Sequence, residues 1–286
     1  MSDVPDQIGV IGGGRMGAGI AQAFLLAGAR VEVVEAGDEA AEAARGRVRD
    51  GLEETARRGK LTGEVDDVLA GLTLVDSPAD LSAGTGLVVE AVPERADLKI
   101  AVLTAAEQAV GAEAVLATNT SSLSVAELAA ALQRPARFLG MHFFNPVPAS
   151  KLVEVVVAPE TAPEVVASVR GWVQALGKTD VVVTDSPGFA SSRLGVLLGL
   201  EAIRMLEEGV ADAEAIDAAM ELGYRHPMGP LRSTDLVGLD VRLAIAEYLA
   251  GELGERFTPP QLLRDKVAAG ELGRKTGRGF HDYPTG

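Results

Sequence analysis

The chain has no cysteine among its 286 residues, so disulfides, thiolate metal sites and cysteine nucleophiles are excluded together. Positive charge is scarce as well: 26 Lys and Arg stand against 41 Asp and Glu, a formal net charge of −15. A surface of that sign does not suit a phosphate backbone, and no nucleic-acid partner is expected. Long apolar runs are missing too. The first apolar segment, residues 8–11, breaks at Gly12-Gly13-Gly14, so neither a secretion signal nor a membrane span is expected. A cytoplasmic location is the default that follows. Only three histidines occur, which makes the setting of each informative.

What is present suits a folded enzyme. Hydrophobic residues make up 47% and charged residues 23%, and the length allows two domains with sizeable cores. Short β-rich runs at residues 7–11, 30–35, 72–75, 86–91, 114–118, 137–142, 151–157 and 179–183 alternate with helical stretches at 17–27, 38–58, 95–110, 125–132 and 162–176. Such alternation predicts a Rossmann-type, doubly wound α/β fold with a mostly parallel sheet. Gly28 is placed to close the first helix and Asp38 to cap the second. After Asp185-Ser186-Pro187-Gly188 the strand signals stop, and helical segments follow at 190–207, 212–222, 231–253 and 261–269. The expected division is an α/β domain over residues 1–186 and an all-helical domain over 187–286. Residues 194–206 are apolar around most of a helix circumference, as at a core centre or a subunit interface.

The most informative pair is His142 and Glu154. The histidine lies in Gly140-Met141-His142-Phe143-Phe144-Asn145-Pro146, and the glutamate interrupts the apolar run Leu152-Val153-Glu154-Val155-Val156. A carboxylate in such a run is costly to bury without a charged or hydrogen-bonding partner. Histidine is the side chain that titrates near neutrality, so a base oriented by a buried acid is the reading. The alternative is a strand-end histidine satisfied by backbone.

A second signal opens the chain. Gly12, Gly14 and Gly17 fit G-x-G-x-x-G between an apolar strand and a helix, and a second strand ends at Glu35. Gly12 would make the tight turn, Gly14 would let a pyrophosphate approach, and Gly17 would permit close helix–strand packing. Gly13, Arg15 and Met16 complete the loop, and the helix start would face the phosphates. A carboxylate at Glu35 would accept the adenosine ribose hydroxyls and repel a 2′-phosphate, which points to NAD. A third feature is a basic stretch in an acidic chain: Arg45, Arg47, Arg49, Arg57, Arg58 and Lys60 against Asp50, Glu53 and Glu54. It reads either as a solvated helix face or as a landing patch for a polyanion.

Taken together, five segments resemble the L-3-hydroxyacyl-CoA dehydrogenases, including the bacterial 3-hydroxybutyryl-CoA enzymes. They are the glycine loop, Asn119-Thr120-Ser121-Ser122-Leu123, the His142 segment with Glu154, Pro227-Met228-Gly229-Pro230 with Asp235-Leu236-Val237-Gly238-Leu239-Asp240, and Gly273-Arg274-Lys275-Thr276-Gly277-Arg278-Gly279-Phe280. The resemblance implies NAD-dependent oxidation of the 3-hydroxyl of a short-chain acyl-CoA, or the reverse. His142 would be the base and Glu154 its orienting acid. Ser121 would touch the substrate oxygen near the nicotinamide, while Glu94, Lys99, Asn145 and Lys275 would contact the cofactor. Arg58, with Lys60 near it, would meet the CoA phosphates. A homodimer through the C-terminal helices is also implied.

This chain departs from the family in three places. Ser192 stands where an asparagine is usual, Leu231-Arg232-Ser233 replaces Phe-Glu-Leu, and Gly51 replaces a small polar contact to CoA. Ser192 offers one donor where an amide offers two. Carrier-protein thioesters, a free sugar acid such as gulonate, and a non-catalytic dinucleotide-binding role are the competing readings.

Overall fold

A computed structural model describes residues 4–284. Two compact units divide the chain, the first ending at Ser186 and the second beginning at Pro187.

In the first unit the strands are β1 (Gln7–Ile11), β2 (Arg30–Val34), β3 (Leu72–Val75), β4 (Leu87–Glu90), β5 (Val115–Thr118), β6 (Phe138–Phe143), β7 (Leu152–Val157) and β8 (Thr179–Thr184). The helices are α1 (Arg15–Leu26), α2 (Asp38–Arg57), α3 (Val65–Leu69), α4 (Ala96–Ala109), α5 (Val125–Ala129) and α6 (Pro163–Ala175). One sheet runs in the order β3-β2-β1-β4-β5-β6-β7-β8. Strands β1 to β6 are mutually parallel, β6 and β7 pair antiparallel, and β8 is parallel to β7. The order reverses between β1 and β4, the switch point where α/β sheets bind ligands beyond their strand ends.

Strand side chains alternate between faces. Val10, Val33, Val89, Ala117, Met141 and Val155 share one buried core with Phe24 of α1, Leu52 of α2 and Val169 of α6. The intervening residues Glu90, Thr118, Gly140, His142, Glu154 and Val156 therefore lie on the opposite face. Helix α5 covers part of it: a Cβ on Gly140 would come within 3.2 Å of Val125. Helix α1 ends as expected, with Gly28 at φ +88°. Asp38 does not cap α2. The cap position is Gly37 with no side-chain bond, and Asp38 is the first helical residue, where its charge still favours the helix N-terminus.

The second unit comprises α7 (Ser191–Glu207), α8 (Ala213–Gly223), α9 (Pro230–Val237), α10 (Leu239–Leu253) and α11 (Gln261–Ala268). The single helix expected over residues 231–253 is two helices, α9 and α10, because Gly238 takes φ +104°. Asp217 of α8 caps α9 by accepting the Leu231 and Arg232 amides at 2.8 and 3.0 Å, and also meets His281 Nε2 at 2.8 Å. Asp235 of α9 accepts the Phe280 and His281 amides and the Tyr283 hydroxyl. These two buried carboxylates pin the C-terminal segment to the helices. Among the described residues no helix is long and apolar enough to cross a membrane.

Candidate active site

One register row crosses the parallel sheet: Val34 pairs with Ile11, Ile11 with Glu90, Glu90 with Thr118, and Thr118 with Gly140. Glu35, the glycine loop, Glu94, the Asn119–Ser122 turn and His142 all lie just beyond this row, at the carboxyl ends of their strands. At about 4.8 Å per strand, β6 lies roughly 14 Å from β1. The sheet edge thus sets the glycine loop and the histidine a nucleotide-scale distance apart.

The loop has the expected construction. Gly12 is at φ +95°, and a Cβ on Gly17 would fall 1.7 Å from the Gly12 carbonyl oxygen. Gly14 has nothing within 4 Å of where its Cβ would be, so the face above it is open. Arg15 and Met16 form the first turn of α1. Glu35 accepts the Gly13 amide at 2.5 Å, and Arg47 donates to the Gly13 carbonyl at 3.1 Å. A carboxylate at the end of β2, open space above Gly14 and a helix start behind it fit a pyrophosphate with an adenosine ribose alongside.

His142 and Glu154 are register partners across the antiparallel pair. Directly opposite residues project to the same face, and His142 Nδ1 lies 2.8 Å from Glu154 Oε2. Both are buried, at 6% and 1% exposure. Against an ionised carboxylate, which only accepts, Nδ1 would be the donor, and Nε2 would then have the acceptor role a base requires. Phe144 packs against the imidazole, with ring centroids 4.4 Å apart. Asn119 ties the neighbouring turn to this strand by accepting the Phe143 amide at 2.8 Å.

Ser121 lies in a turn organised by Glu94. Its Oε1 accepts the Thr120 hydroxyl at 2.5 Å, the Ser121 and Ser122 amides at 3.0 and 3.1 Å, and the Ser122 hydroxyl at 3.0 Å. Burial works against ionisation of Glu94, but the Lys99 ammonium and these bonds outweigh it and hold the carboxyl below its ordinary range. Lys99, expected on the cofactor, is interior instead, at 1% exposure. Its ammonium reaches Glu90 Oε1 at 2.7 Å, the Val92 carbonyl at 3.2 Å and Glu94 Oε2 at 3.3 Å. Glu90 and Thr118 belong to this network, and the sequence reading passed over both.

The basic stretch divides. Arg47 serves the glycine loop and Arg49 pairs with Asp66 at 2.9 Å. Arg57 and Arg58 both hold Glu54 at 2.6 Å on the surface, and the two guanidiniums, Arg58 first, keep the Glu54 carboxyl below its ordinary range. Exposed pairs of this kind yield easily to a better anion. Lys60 has no ion pair among the described residues. Gly51 has a steric reason: a Cβ there would meet the buried Gln22 side chain at 2.4 Å, and Gln22 bonds Thr55 at 2.9 Å. Asn145 precedes a cis Pro146 in the turn between β6 and β7. In the second unit, Ser192 is in the first turn of α7, and Lys275 holds both oxygens of Asp240 at 2.6 and 2.7 Å.

A dinucleotide-type sheet edge carrying a carboxylate-oriented histidine defines an oxidoreductase. Sequence models of the 3-hydroxyacyl-CoA dehydrogenase NAD binding domain and C-terminal domain match residues 7–186 and 188–283. The chain belongs to the 3-hydroxyacyl-CoA dehydrogenase family, and its cofactor is NAD. It is 42% identical over 287 residues to a 3-hydroxybutyryl-CoA dehydrogenase of Mycobacterium tuberculosis, covering 99% of this chain and 100% of that one. The crystal structure of (S)-3-hydroxybutyryl-CoA dehydrogenase from Ralstonia eutropha superposes with TM-score 0.93 at 40% identity, covering 99% of this chain and 100% of that one. A diketoreductase acting on dicarbonyl compounds shares the fold at TM-score 0.86 and 28% identity, over 99% and 100% of the two chains.

Proposed function

We propose that the protein interconverts a short-chain L-3-hydroxyacyl-CoA and its 3-ketoacyl-CoA with NAD. The observation that carries this reading is the buried 2.8 Å contact between His142 and Glu154 at the same sheet edge as the glycine loop. Bound NAD supplies the hydride acceptor or donor. The chain supplies the rest. His142 Nε2 takes the proton of the 3-hydroxyl, Glu154 stabilises the imidazolium, and Ser121 hydrogen-bonds the substrate oxygen. Glu35 binds the adenosine ribose, while Glu94 and Asn145 border the nicotinamide side. Lys275 and Ser192 belong to the helical domain, residues 187–286 as against 1–186 for the NAD domain. Ser192 offers one donor where the family's asparagine offers two. Initial rates of acetoacetyl-CoA reduction by NADH test this; no turnover with it or with longer 3-ketoacyl-CoA would overturn it.

Arg58 and Lys60 recognise the phosphates of the coenzyme A tail. Replacing both by alanine is expected to raise the KM for acetoacetyl-CoA about tenfold at low salt, leave kcat near wild type, and flatten the dependence of KM on ionic strength. Competition by free CoA separates this carrier from a free hydroxy acid, which would be indifferent to it. Leu194 (68% exposed), Leu236, Val237 and Val241 are exposed apolar residues of the helical domain, of the kind a second copy would cover. We read the enzyme as a cytoplasmic homodimer, which sedimentation of the purified chain would test.

A further inference from the structure

Glu90 takes no part in the chemistry described above, yet it is the most buried acid at the sheet edge, at 0% exposure. Its Oε1 accepts the Lys99 ammonium and the Val92 amide, both at 2.7 Å, and its Oε2 accepts the Thr118 hydroxyl at 2.7 Å. Thr118 in turn accepts the Thr120 amide at 3.2 Å. Lys99 has three protons, and Glu90, Glu94 and the Val92 carbonyl lie within reach of them. Glu94 then gathers the Ser121 and Ser122 amides. One chain of contacts thus runs from buried Glu90 and Lys99 out to Glu94 and Ser121 and joins the turns that follow β4 and β5.

The charges explain why both acids are needed. A lysine buried to 1% requires a counter-charge, and Glu94 alone, its side chain 36% exposed, holds it at only 3.3 Å. Glu90 anchors the ammonium from the sheet side. Lys99 is then presented to Glu94 at a fixed height, and Glu94 fixes the turn. We infer that Glu90 is a positioning residue for cofactor binding, acting through Lys99 to hold Glu94 and the Ser121 turn in their bound arrangement. This rests on the reading above that Glu94 and Ser121 border the cofactor.

Glu90→Gln is nearly isosteric: its carbonyl can still accept from Lys99 and Val92, and its amide can donate to Thr118. The expected result, by calorimetric titration of the whole enzyme with NADH, is a dissociation constant at least tenfold higher. The KM for acetoacetyl-CoA is expected to rise as well, by a smaller factor, because the same turn carries Ser121. A purely structural role would lower the melting temperature and the active fraction without moving NADH affinity. The coupling also predicts that Glu90→Gln/Lys99→Met binds NADH no more weakly than Lys99→Met alone and melts higher, because the uncompensated Glu90 charge is gone. If Glu90→Gln does not fold, Thr118→Val loosens the same carboxylate and should weaken NADH binding threefold or more. NADH affinity within twofold of wild type in a folded Glu90→Gln or Thr118→Val enzyme would overturn the inference. The titration uses NADH alone, so a wrong assignment of the acyl-CoA substrate would leave its result unchanged.

Discussion

His142→Asn should lower turnover of acetoacetyl-CoA by NADH on the order of 10³-fold while leaving NADH affinity within about twofold. The asparagine amide can still donate to Glu154, so the buried carboxylate keeps a partner and the β6–β7 pair keeps its register. What disappears is the ring nitrogen that carries a proton to or from the 3-oxygen. No group of comparable basicity stands beside it on the strand, where the neighbours are Met141 and Phe143. The Phe144 ring loses its imidazole contact, which costs stability of about 1 kcal/mol, too little to unfold the domain. Initial rates combined with NADH titration check the split, and comparable kcat in the mutant would remove His142 from the chemistry.

The second large effect is expected from Glu154→Gln, a loss of kcat on the order of 10²- to 10⁴-fold. The substitution retains volume and polarity, so the sheet has no reason to rearrange. An amide facing Nδ1 can, however, present its NH₂ group, and the ring then accepts at Nδ1 and carries its proton on Nε2. That is the wrong tautomer for a base. The imidazolium formed in turnover also loses the carboxylate that stabilised it. Rates at saturating NADH and substrate measure the effect; steady-state affinity for either ligand should move little.

The reach of the sequence varied with the kind of contact. The histidine–carboxylate pair was legible because an antiparallel turn converts twelve residues of separation into direct opposition, and because an acid in a valine run demands a partner. The same signal is present in Val88-Val89-Glu90, without a partner legible nearby in the sequence. Its partner lies on α4, beyond a parallel crossover that no spacing rule fixes. Yet Lys99 shares its helical phase with Leu103 and Ala106, all three buried, so its inward direction was readable. Gly51 could not be understood from its own position, since the demand comes from Gln22 on another helix. Nor could the break at Gly238, because a glycine within a helical pattern does not announce its positive φ. Arg47 was grouped with the surface cations of its helix, and only the folded chain shows it reaching back to the glycine loop.

The reaction's dependence on a carboxylate-held imidazole is tested most directly in a single turnover. Enzyme with NADH already bound is mixed with excess acetoacetyl-CoA, and NADH loss is followed in wild type and Glu154→Gln. Equal amplitudes with a rate constant at least a hundredfold smaller in the variant are expected. Equal rate constants would contradict the account, because a buried carboxylate that can be made neutral without slowing that step is not orienting its base.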